Sequence, residues 1–214
     1  MTVILKDLKL SYVAVPKVAC TSIKTMLFEV ENGFAFRPFS ANGRTWWIHD
    51  LYRSIPFTDQ RQDLMADHRR LTVVRDPIQR LLSCYANRVV HHRELSRDKA
   101  RKQLRNTELP FNPDLSTFVA HLAEYMQRVE SIRHHALPMT EYLGADPAWY
   151  AQIYPMARLG DFVADVSAVA GRPLALARMQ TGGPKITPDA LSEAETVRLR
   201  QFYAEDYALY GAFL

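Results

Sequence analysis

The sequence has little cysteine, little glycine and little net charge. Of its 214 residues two are cysteine and eight are glycine, and the formal net charge is +4. The two cysteines, Cys20 and Cys84, are too few for a disulfide framework and are typical of a reducing compartment. The mild positive charge suits a small anionic ligand, but it is too weak to indicate binding of nucleic acid.

Long apolar runs are also missing. No run approaches the roughly 20 residues that a membrane-spanning helix needs, and the segment Met1–Asp7 lacks the pattern of a signal peptide. We therefore expect a cytoplasmic protein without a transmembrane segment. The hydrophobic content of 48% is ordinary for a globular protein, and the length predicts a single domain over residues 1–214.

A strand, a tight loop and a helix start follow one another near the N-terminus. Residues 12–15 are apolar and predict a buried strand, and a helical stripe from Ile23 predicts a helix that opens at Thr21 or Ser22. This helix is expected to run to about Glu31, because Asn32-Gly33 is a stop signal. The start of a helix presents unpaired N–H groups and the positive end of the helix dipole, which together bind phosphate or sulfate. Lys17 adds a positive charge inside the loop. Residues 16–22 are therefore a candidate anion-binding loop.

This loop differs from two other anion loops. The phosphate loop of nucleotide enzymes needs glycines five residues apart, followed by Lys and Ser or Thr, whereas residues 16–22 contain no glycine. A cysteine-phosphatase loop needs an arginine six positions after its cysteine, where this chain has Met26. Cys20 has no adjacent base in the sequence, so we expect a small packing residue rather than a nucleophile.

A second junction of strand and helix lies around Arg75. Leu71-Thr-Val-Val-Arg75 predicts a second strand, and Asp76 and Pro77 are the residues preferred at the N-cap and at the first helical position. We expect this helix to run to about Val90. A guanidinium at the end of a strand suits a phosphate, which it can bind with two parallel hydrogen bonds.

Both junctions resemble segments of the sulfotransferases. Residues 16–22 are similar to the 5′-phosphosulfate loop of that family, most of all to its carbohydrate (membrane-type) branch, and residues 73–83 are similar to its 3′-phosphate-binding segment. Many members carry glycine where this chain has Ala19 or Cys20, so the backbone angles of this loop are more restricted. The resemblance covers most of the chain and is specific at these two segments.

The resemblance implies a P-loop-like, three-layer α/β fold, in which helices flank a central, mostly parallel sheet and both anion loops lie at the carboxyl ends of adjacent strands. It implies transfer of a sulfuryl group from 3′-phosphoadenosine 5′-phosphosulfate (PAPS) to a hydroxyl of an acceptor that is a sugar or glycan, without a metal. PAPS is then a co-substrate, released as 3′-phosphoadenosine 5′-phosphate (PAP). The residues that the resemblance assigns to PAPS are Pro16, Lys17, Val18, Ala19, Cys20, Thr21, Ser22, Arg75 and Ser83.

The reaction needs groups that stabilise the leaving phosphate and a base for the attacking hydroxyl. Lys17 suits the first task. A histidine titrates near neutral pH and suits the second. His49 is our first candidate, because it lies between the two anion segments, near where related sulfotransferases place a catalytic histidine. His135 is the second, because with Pro138 it matches the His-x-x-Pro spacing of many carbohydrate sulfotransferases, and His68 is the third. Each of them could instead be structural.

The remaining segments carry weaker signals. The basic run 93–106 is either a solvated segment or a clamp for an acidic acceptor, and the sequence leaves both open. Trp46 or Trp47 could flank an acceptor sugar. Further elements predicted from the pattern are a loop over residues 33–46, a short strand over 46–48, helices over 58–66, 115–126, 159–170 and 192–207, a strand over 150–155 and a flexible loop over 179–185.

Two other functions compete with sulfuryl transfer. A small-molecule kinase with a degenerate phosphate loop would need a carboxylate for magnesium, and the nearest acid at a strand end, Asp76, has the position of a helix cap. A non-catalytic nucleotide-binding module would keep the fold without the reaction, and it predicts that Lys17→Ala leaves function intact.

Overall fold

A computed structural model describes residues 2–177 and 182–214. They divide into two compact units, the first built from residues 1–75, 139–180 and 209–214 and the second from residues 76–138 and 181–208. The strands are β1 (Val3–Leu5), β2 (Leu10–Val13), β3 (Phe39–Ala41), β4 (Arg44–Trp46), β5 (Arg69–Val74) and β6 (Gln152–Pro155).

The helices in chain order are α1 (Cys20–Asn32), α2 (Ile48–Leu51), α3 (Pro77–Cys84), α4 (Arg97–Ala100), α5 (Leu115–Ala120), α6 (Leu122–Arg128), α7 (Glu130–Ala136), α8 (Thr140–Leu143), α9 (Leu159–Ala170), α10 (Glu193–Phe202) and α11 (Ala204–Tyr210). A π-helical segment, Tyr85–His91, continues α3. No helix in the described ranges combines the length and the apolar composition that crossing a bilayer requires.

The main sheet belongs to the first unit and has the strand order β1-β2-β5-β6. β5 pairs in parallel with β2 on one side and with β6 on the other, while β1 pairs antiparallel with β2. The fold is therefore α/β with a mostly parallel central sheet, as predicted. The register places Tyr12 opposite Leu71, and Leu71 opposite Gln152. The carboxyl ends of β2 and β5 consequently lie side by side.

The parallel strands β2 and β5 carry apolar residues that are buried on both faces of the sheet. Tyr12, Val13, Leu71 and Val74 are completely buried, as expected for strands covered on both faces. The ring of Tyr12 packs against Phe162 of α9, with centroids 5.5 Å apart. The predicted strand 12–15 is instead Leu10–Val13, because Pro16 and the turn before α1 take the chain out of the sheet.

Two predicted helix ends are confirmed. α1 stops before Gly33 and α9 stops before Gly171, and both glycines have the left-handed conformation, with φ of 78° and 67°. Only glycine adopts this conformation without steric cost, which is why it ends helices so often.

The segment 33–46, predicted as a loop, contains a hairpin. β3 and β4 pair antiparallel with Phe39 opposite Trp46. The turn between them consists of Asn42 and Gly43, with φ of 54° and 71°. Positive φ at both positions is the requirement of a type I′ turn, which Asn-Gly satisfies. The predicted strand 46–48 is likewise wrong, because β4 ends at Trp46 and α2 begins at Ile48.

Two other predicted helices are replaced or broken. Residues 58–66 form two 3-10 turns, Phe57–Asp59 and Gln62–Met65, instead of one helix. The helix predicted over 115–126 is divided at His121 into α5 and α6.

The second unit is helical and has its own apolar core. Leu81, Phe118, Tyr125, Ile132 and Tyr203 are at its centre. Tyr203 also breaks the predicted terminal helix into α10 and α11. Its ring is completely buried and its hydroxyl donates to the carbonyl of Ala136 at 2.7 Å, so burial of this side chain outweighs helix continuity.

The basic run 93–106 is helical only over α4, and its arginine and lysine side chains are exposed. The predicted loop 179–185 lies partly outside the described residues, which resume at Gly182.

Candidate functional site

The loop between β2 and α1 alternates in backbone handedness. Lys17 and Ala19 both have positive φ, 66° and 48°. Alternation of this kind turns successive N–H groups toward one side and forms a concave anion site. Lys17 is half-buried, whereas Val18 between these two residues is completely buried and anchors the loop in the core.

α1 opens at Cys20, one residue before the earlier of the two predicted starts. Its first intrahelical hydrogen bond joins the N–H of Ile23 to the carbonyl of Ala19 at 3.1 Å. No side chain of the described residues caps this end, because alanine at the N-cap has no acceptor. The amides at the start of α1 therefore point toward the loop without a capping oxygen, and an anion can serve as their acceptor.

Arg75 follows β5 directly and reaches the same loop. Its Nη1 donates to the carbonyl oxygen of Lys17 at 3.4 Å. The sequence predicted that the two cationic residues lie at neighbouring strand ends, and this contact brings them together within the first unit. Arg75 is half-buried, so the surroundings screen its charge less than they would at an exposed site.

Asp76, the next residue, is occupied as the N-cap of α3. One carboxylate oxygen accepts from the backbone N–H of Gln79 and the other from the hydroxyl of Tyr207, each at 2.9 Å. The predicted capping role is confirmed. Within the described residues no group of three or more His, Cys, Asp or Glu side chains could hold a metal ion.

His49 lies next to the start of α1, on a short helix rather than at the end of a strand as predicted. It is the second residue of α2, and its Nε2 pairs with Oγ1 of Thr21 at 2.8 Å. The first-choice histidine and a hydroxyl of the predicted anion loop are therefore in direct contact.

The β3–β4 hairpin is tied to α2 by its polar groups. Asp50 accepts from the backbone N–H of Trp47 at 2.8 Å and pairs with the guanidinium of Arg44. The backbone hydrogen bond from Trp47, supported by Arg44, lowers the pKa of Asp50. Asp50 is the neighbour of His49, so these bonds fix the hairpin relative to the histidine.

Sequence reasoning missed Lys24. Its side chain is completely buried, and Nζ lies 3.3 Å from Nδ1 of His49 and 2.9 Å from Oγ of Ser54. Burial lowers the pKa of this amine. One signal was present in the sequence. Lys24 lies one helical turn after Thr21, within the apolar stripe of Ile23 and Leu27, where a lysine is unusual.

His68 lies at the opposite end of β5 from Arg75. It precedes the first residue of the strand, and its Nδ1 pairs with Oγ of Ser11 at 2.7 Å. A strand of this length spans about 20 Å. His68 is therefore remote from the loop at the carboxyl end of β2.

Ser83 and His135 belong to the second unit. Ser83 is half-buried on α3, and His135 is on α7. Nε2 of His135 accepts from the guanidinium of Arg88 at 3.0 Å, and its Nδ1 donates to the carbonyl of Ser131 at 2.7 Å. Both ring nitrogens of His135 are therefore engaged within the second unit.

Comparison with known proteins gives one match. No curated protein and no solved structure matches the chain. One family model does, and it is described as the Sulfotransferase family and matches residues 1–212. This match spans nearly the whole sequence, including both strand–helix junctions. The chain therefore belongs to the sulfotransferase family.

Proposed function

We propose that this protein transfers a sulfuryl group from PAPS to a hydroxyl of a carbohydrate acceptor. The observation that supports it best is the contact between Arg75 and Lys17. Lys17 follows β2 and Arg75 follows β5, so one cationic residue lies at each of two neighbouring strand ends. This arrangement suits a donor that carries a phosphosulfate at one position and a phosphate at another. Family membership supports the reaction class, and the sugar acceptor comes from the resemblance of residues 16–22 to the carbohydrate branch.

We assign the phosphosulfate to the loop 16–22. The positive φ of Lys17 and Ala19 and the uncapped start of α1 favour an anion there. The ammonium of Lys17 and the amides of residues 19–22 are suited to stabilise charge on the bridging oxygen as it leaves. Arg75 is assigned to the 3′-phosphate. The roles of Ser83 and His135 remain predictions from the sequence.

The proposed reaction is an in-line displacement at sulfur. The acceptor oxygen forms a bond to sulfur, the bond between sulfur and the bridging oxygen breaks, and its electron pair stays on the phosphate of PAP. The acceptor proton moves to Nε2 of His49. This nitrogen now faces Thr21, whose hydroxyl can turn to the phosphate when the donor binds. The acceptor hydroxyl would then replace Thr21 at Nε2.

The hairpin before His49 is the proposed acceptor surface. Phe39 and Trp46 stack with centroids 6.3 Å apart, and Trp47 is 57% exposed. Aromatic rings present flat apolar faces, on which the C–H faces of a sugar ring can pack. The bonds of Asp50 hold this hairpin beside the proposed base.

Titration calorimetry tests the donor. We expect PAP to bind without magnesium and clearly more tightly than ATP, because a 3′-phosphate is required to engage the second cation. A clear preference for ATP, above all with magnesium, would overturn the proposal and favour a kinase.

A transfer assay tests the reaction. Panels of sugars and glycans are incubated with PAPS that carries labelled sulfate, and Lys17→Ala is the matched variant. We expect label in at least one sugar hydroxyl with the wild type and little with Lys17→Ala. PAP binding without transfer to any acceptor would favour a non-catalytic module, and transfer to non-sugar alcohols alone would reject the carbohydrate.

A further inference from the structure

Lys24 has an unusual environment for a lysine. Its side chain is completely buried on α1. Its hydrogen-bond partners in the described residues are His49 and Ser54, and no carboxylate of those residues pairs with it. A buried ammonium without a counter-ion is so unfavourable that such groups normally lose their proton.

The two partners match a neutral amine. Such an amine has one lone pair to accept a hydrogen bond and N–H groups to donate. Ser54 offers its hydroxyl oxygen as an acceptor at 2.9 Å. Nδ1 of His49 lies 3.3 Å from Nζ. When this nitrogen carries a proton, its N–H can donate a hydrogen bond to the lone pair of the amine. An ammonium has three N–H donors and no lone pair, so it could not accept a hydrogen bond from Nδ1–H of His49.

The surrounding titratable groups do not supply a negative charge in place of a carboxylate. Burial has the largest effect on the pKa of Lys24 and lowers it, while the electrostatic interaction with Cys20 raises it by less. Asp50, next to His49 in sequence, already accepts from Trp47 and Arg44.

We propose that Lys24 is a positioning residue, a neutral amine that holds the proton of His49 on Nδ1 and so leaves Nε2 as the base. Hydrogen-bonded to Nζ, the Nδ1–H fixes the orientation of the ring, and Nε2 faces the start of α1 at Thr21. The carboxylate of a Ser-His-Asp triad has the same task of selecting the tautomer and orienting the ring. In this protein an uncharged amine would perform it.

The inference rests on the proposed function for its chemistry, but the tautomer is a property of the resting protein. It can be measured by ¹⁵N NMR of the imidazole groups in the whole chain at neutral pH. The chain has seven histidines, and the spectrum of His49→Gln identifies the signals of His49. We expect an Nδ1–H, Nε2-unprotonated ring. An Nε2–H ring would overturn the proposal, because Lys24 would then donate to Nδ1 instead of accepting from it, and Nε2 would not be free to act as the base.

Two substitutions test the role in turnover. Lys24→Met removes both hydrogen bonds, whereas Lys24→Gln keeps a neutral acceptor for Nδ1–H and a donor for Ser54. We expect His49 in Lys24→Met no longer to be held in the Nδ1–H tautomer. We expect kcat to fall at least about tenfold, with PAP affinity unchanged. Lys24→Gln should keep the tautomer and have a higher kcat than Lys24→Met.

Lys6→Met is the matched control, because Lys6 is exposed. Wild-type turnover and an unchanged pH profile in Lys24→Met would overturn the proposal. Circular dichroism and PAP titration verify that each variant is folded. If Lys24→Met does not fold, the NMR measurements of the tautomer in the wild type and in Lys24→Gln still test the proposal. Failure of PAP to bind the wild type would reject the proposed function and leave the tautomer result untouched.

Discussion

The guanidinium of Arg75 donates to the backbone carbonyl of Lys17, although the two residues are 58 positions apart in sequence. The parallel pairing of β2 with β5 produces this contact, because it sets the end of one strand beside the end of the other. The contact places Arg75 beside the proposed anion loop, so a substitution of Arg75 is the most direct test of the proposed donor site.

Replacing Arg75 by alanine should weaken PAP binding. A hydrogen bond to a charged group contributes about 1.5–3 kcal/mol, so we expect Kd for PAP to rise about 10- to 100-fold. Titration calorimetry measures the change, and Arg61→Ala is the control, since Arg61 is exposed and bonds to Asp63. Equal Kd values for Arg75→Ala and the wild type would remove Arg75 from the donor site.

Replacing His49 by alanine should lower turnover without affecting the donor. A general base typically contributes about 10²–10⁴ in rate, and we expect kcat to fall by that amount with PAP affinity nearly unchanged. His135→Ala is the comparison, because His135 is the second candidate for the base and its Nε2 already accepts from Arg88. We expect the larger loss of kcat in His49→Ala. The reverse order would assign the base to His135.

Glycine at position 19 should stabilise the protein. Ala19 has a left-handed backbone with φ of 48°, which strains a residue that carries a Cβ by about 1 kcal/mol. We expect Ala19→Gly to raise the free energy of unfolding by up to about 1 kcal/mol, measured by urea denaturation. Ala164→Gly, at an exposed position inside α9, should lower it by about 1 kcal/mol. Destabilisation by both variants would show that the loop is not strained at position 19.

The stability of the first unit should depend on Asp165 at acid pH. Burial would raise the pKa of Asp165, but hydrogen bonds from Arg69 and Tyr154 outweigh it and lower the pKa. A carboxyl whose folded pKa is lower than its unfolded value, about 3.9, stabilises the protein at higher pH. This contribution is lost as the pH falls from about 4 through the folded pKa.

Urea denaturation between neutral pH and about pH 3 tests this effect. We expect Asp165→Asn to be less stable than the wild type at neutral pH and the difference to shrink as the pH falls. A difference that stays constant across this range would mean that the charge of Asp165 is not responsible.

Alanine at position 183 should destabilise the second unit. A Cβ on Gly183 would lie 2.4 Å from the carbonyl oxygen of Ala86, and φ of 103° is unfavourable for any other residue. We expect a loss of about 2 kcal/mol or more in the free energy of unfolding. At Gly160, inside α9, a Cβ meets nothing within 4 Å, and Gly160→Ala should stabilise by about 0.5–1 kcal/mol. A neutral Gly183→Ala would disprove the close approach to Ala86.

The sequence was most informative where a single residue type decides the local structure. Asp76 with Pro77 predicted the start of α3, and Gly33 and Gly171 predicted two helix ends, because each of these residues satisfies a backbone requirement that few others meet. Residues 73–83, which include Asp76 and Pro77, also carried the resemblance to the sulfotransferases together with residues 16–22, and the family match over residues 1–212 confirms it.

The sequence was least informative where residues far apart in sequence determine the local structure or the surroundings of a side chain. The hairpin at Asn42 and Gly43 was predicted as a loop. Asn-Gly is a hairpin signal, but the flanking strands are short and exposed, so no alternation of buried and exposed residues marks them in the sequence. Lys24 was overlooked because only the fold brings His49 and Ser54 to its amine, from residues 25 and 30 positions away. The single-domain organisation and the cytoplasmic location remain predictions.

The pairing of β2 with β5 also determines at which stage of folding Lys17 and Arg75 come together. β1 meets β2 across a short turn, so this part of the sheet can form early, whereas β2 finds β5 only after a long loop has closed. Loop closure of this kind is slow relative to local contacts. A chain in which β2 has not yet paired with β5 lacks the contact between Lys17 and Arg75. If the proposed donor site is right, PAP binding should therefore be recovered during refolding only when the sheet closes.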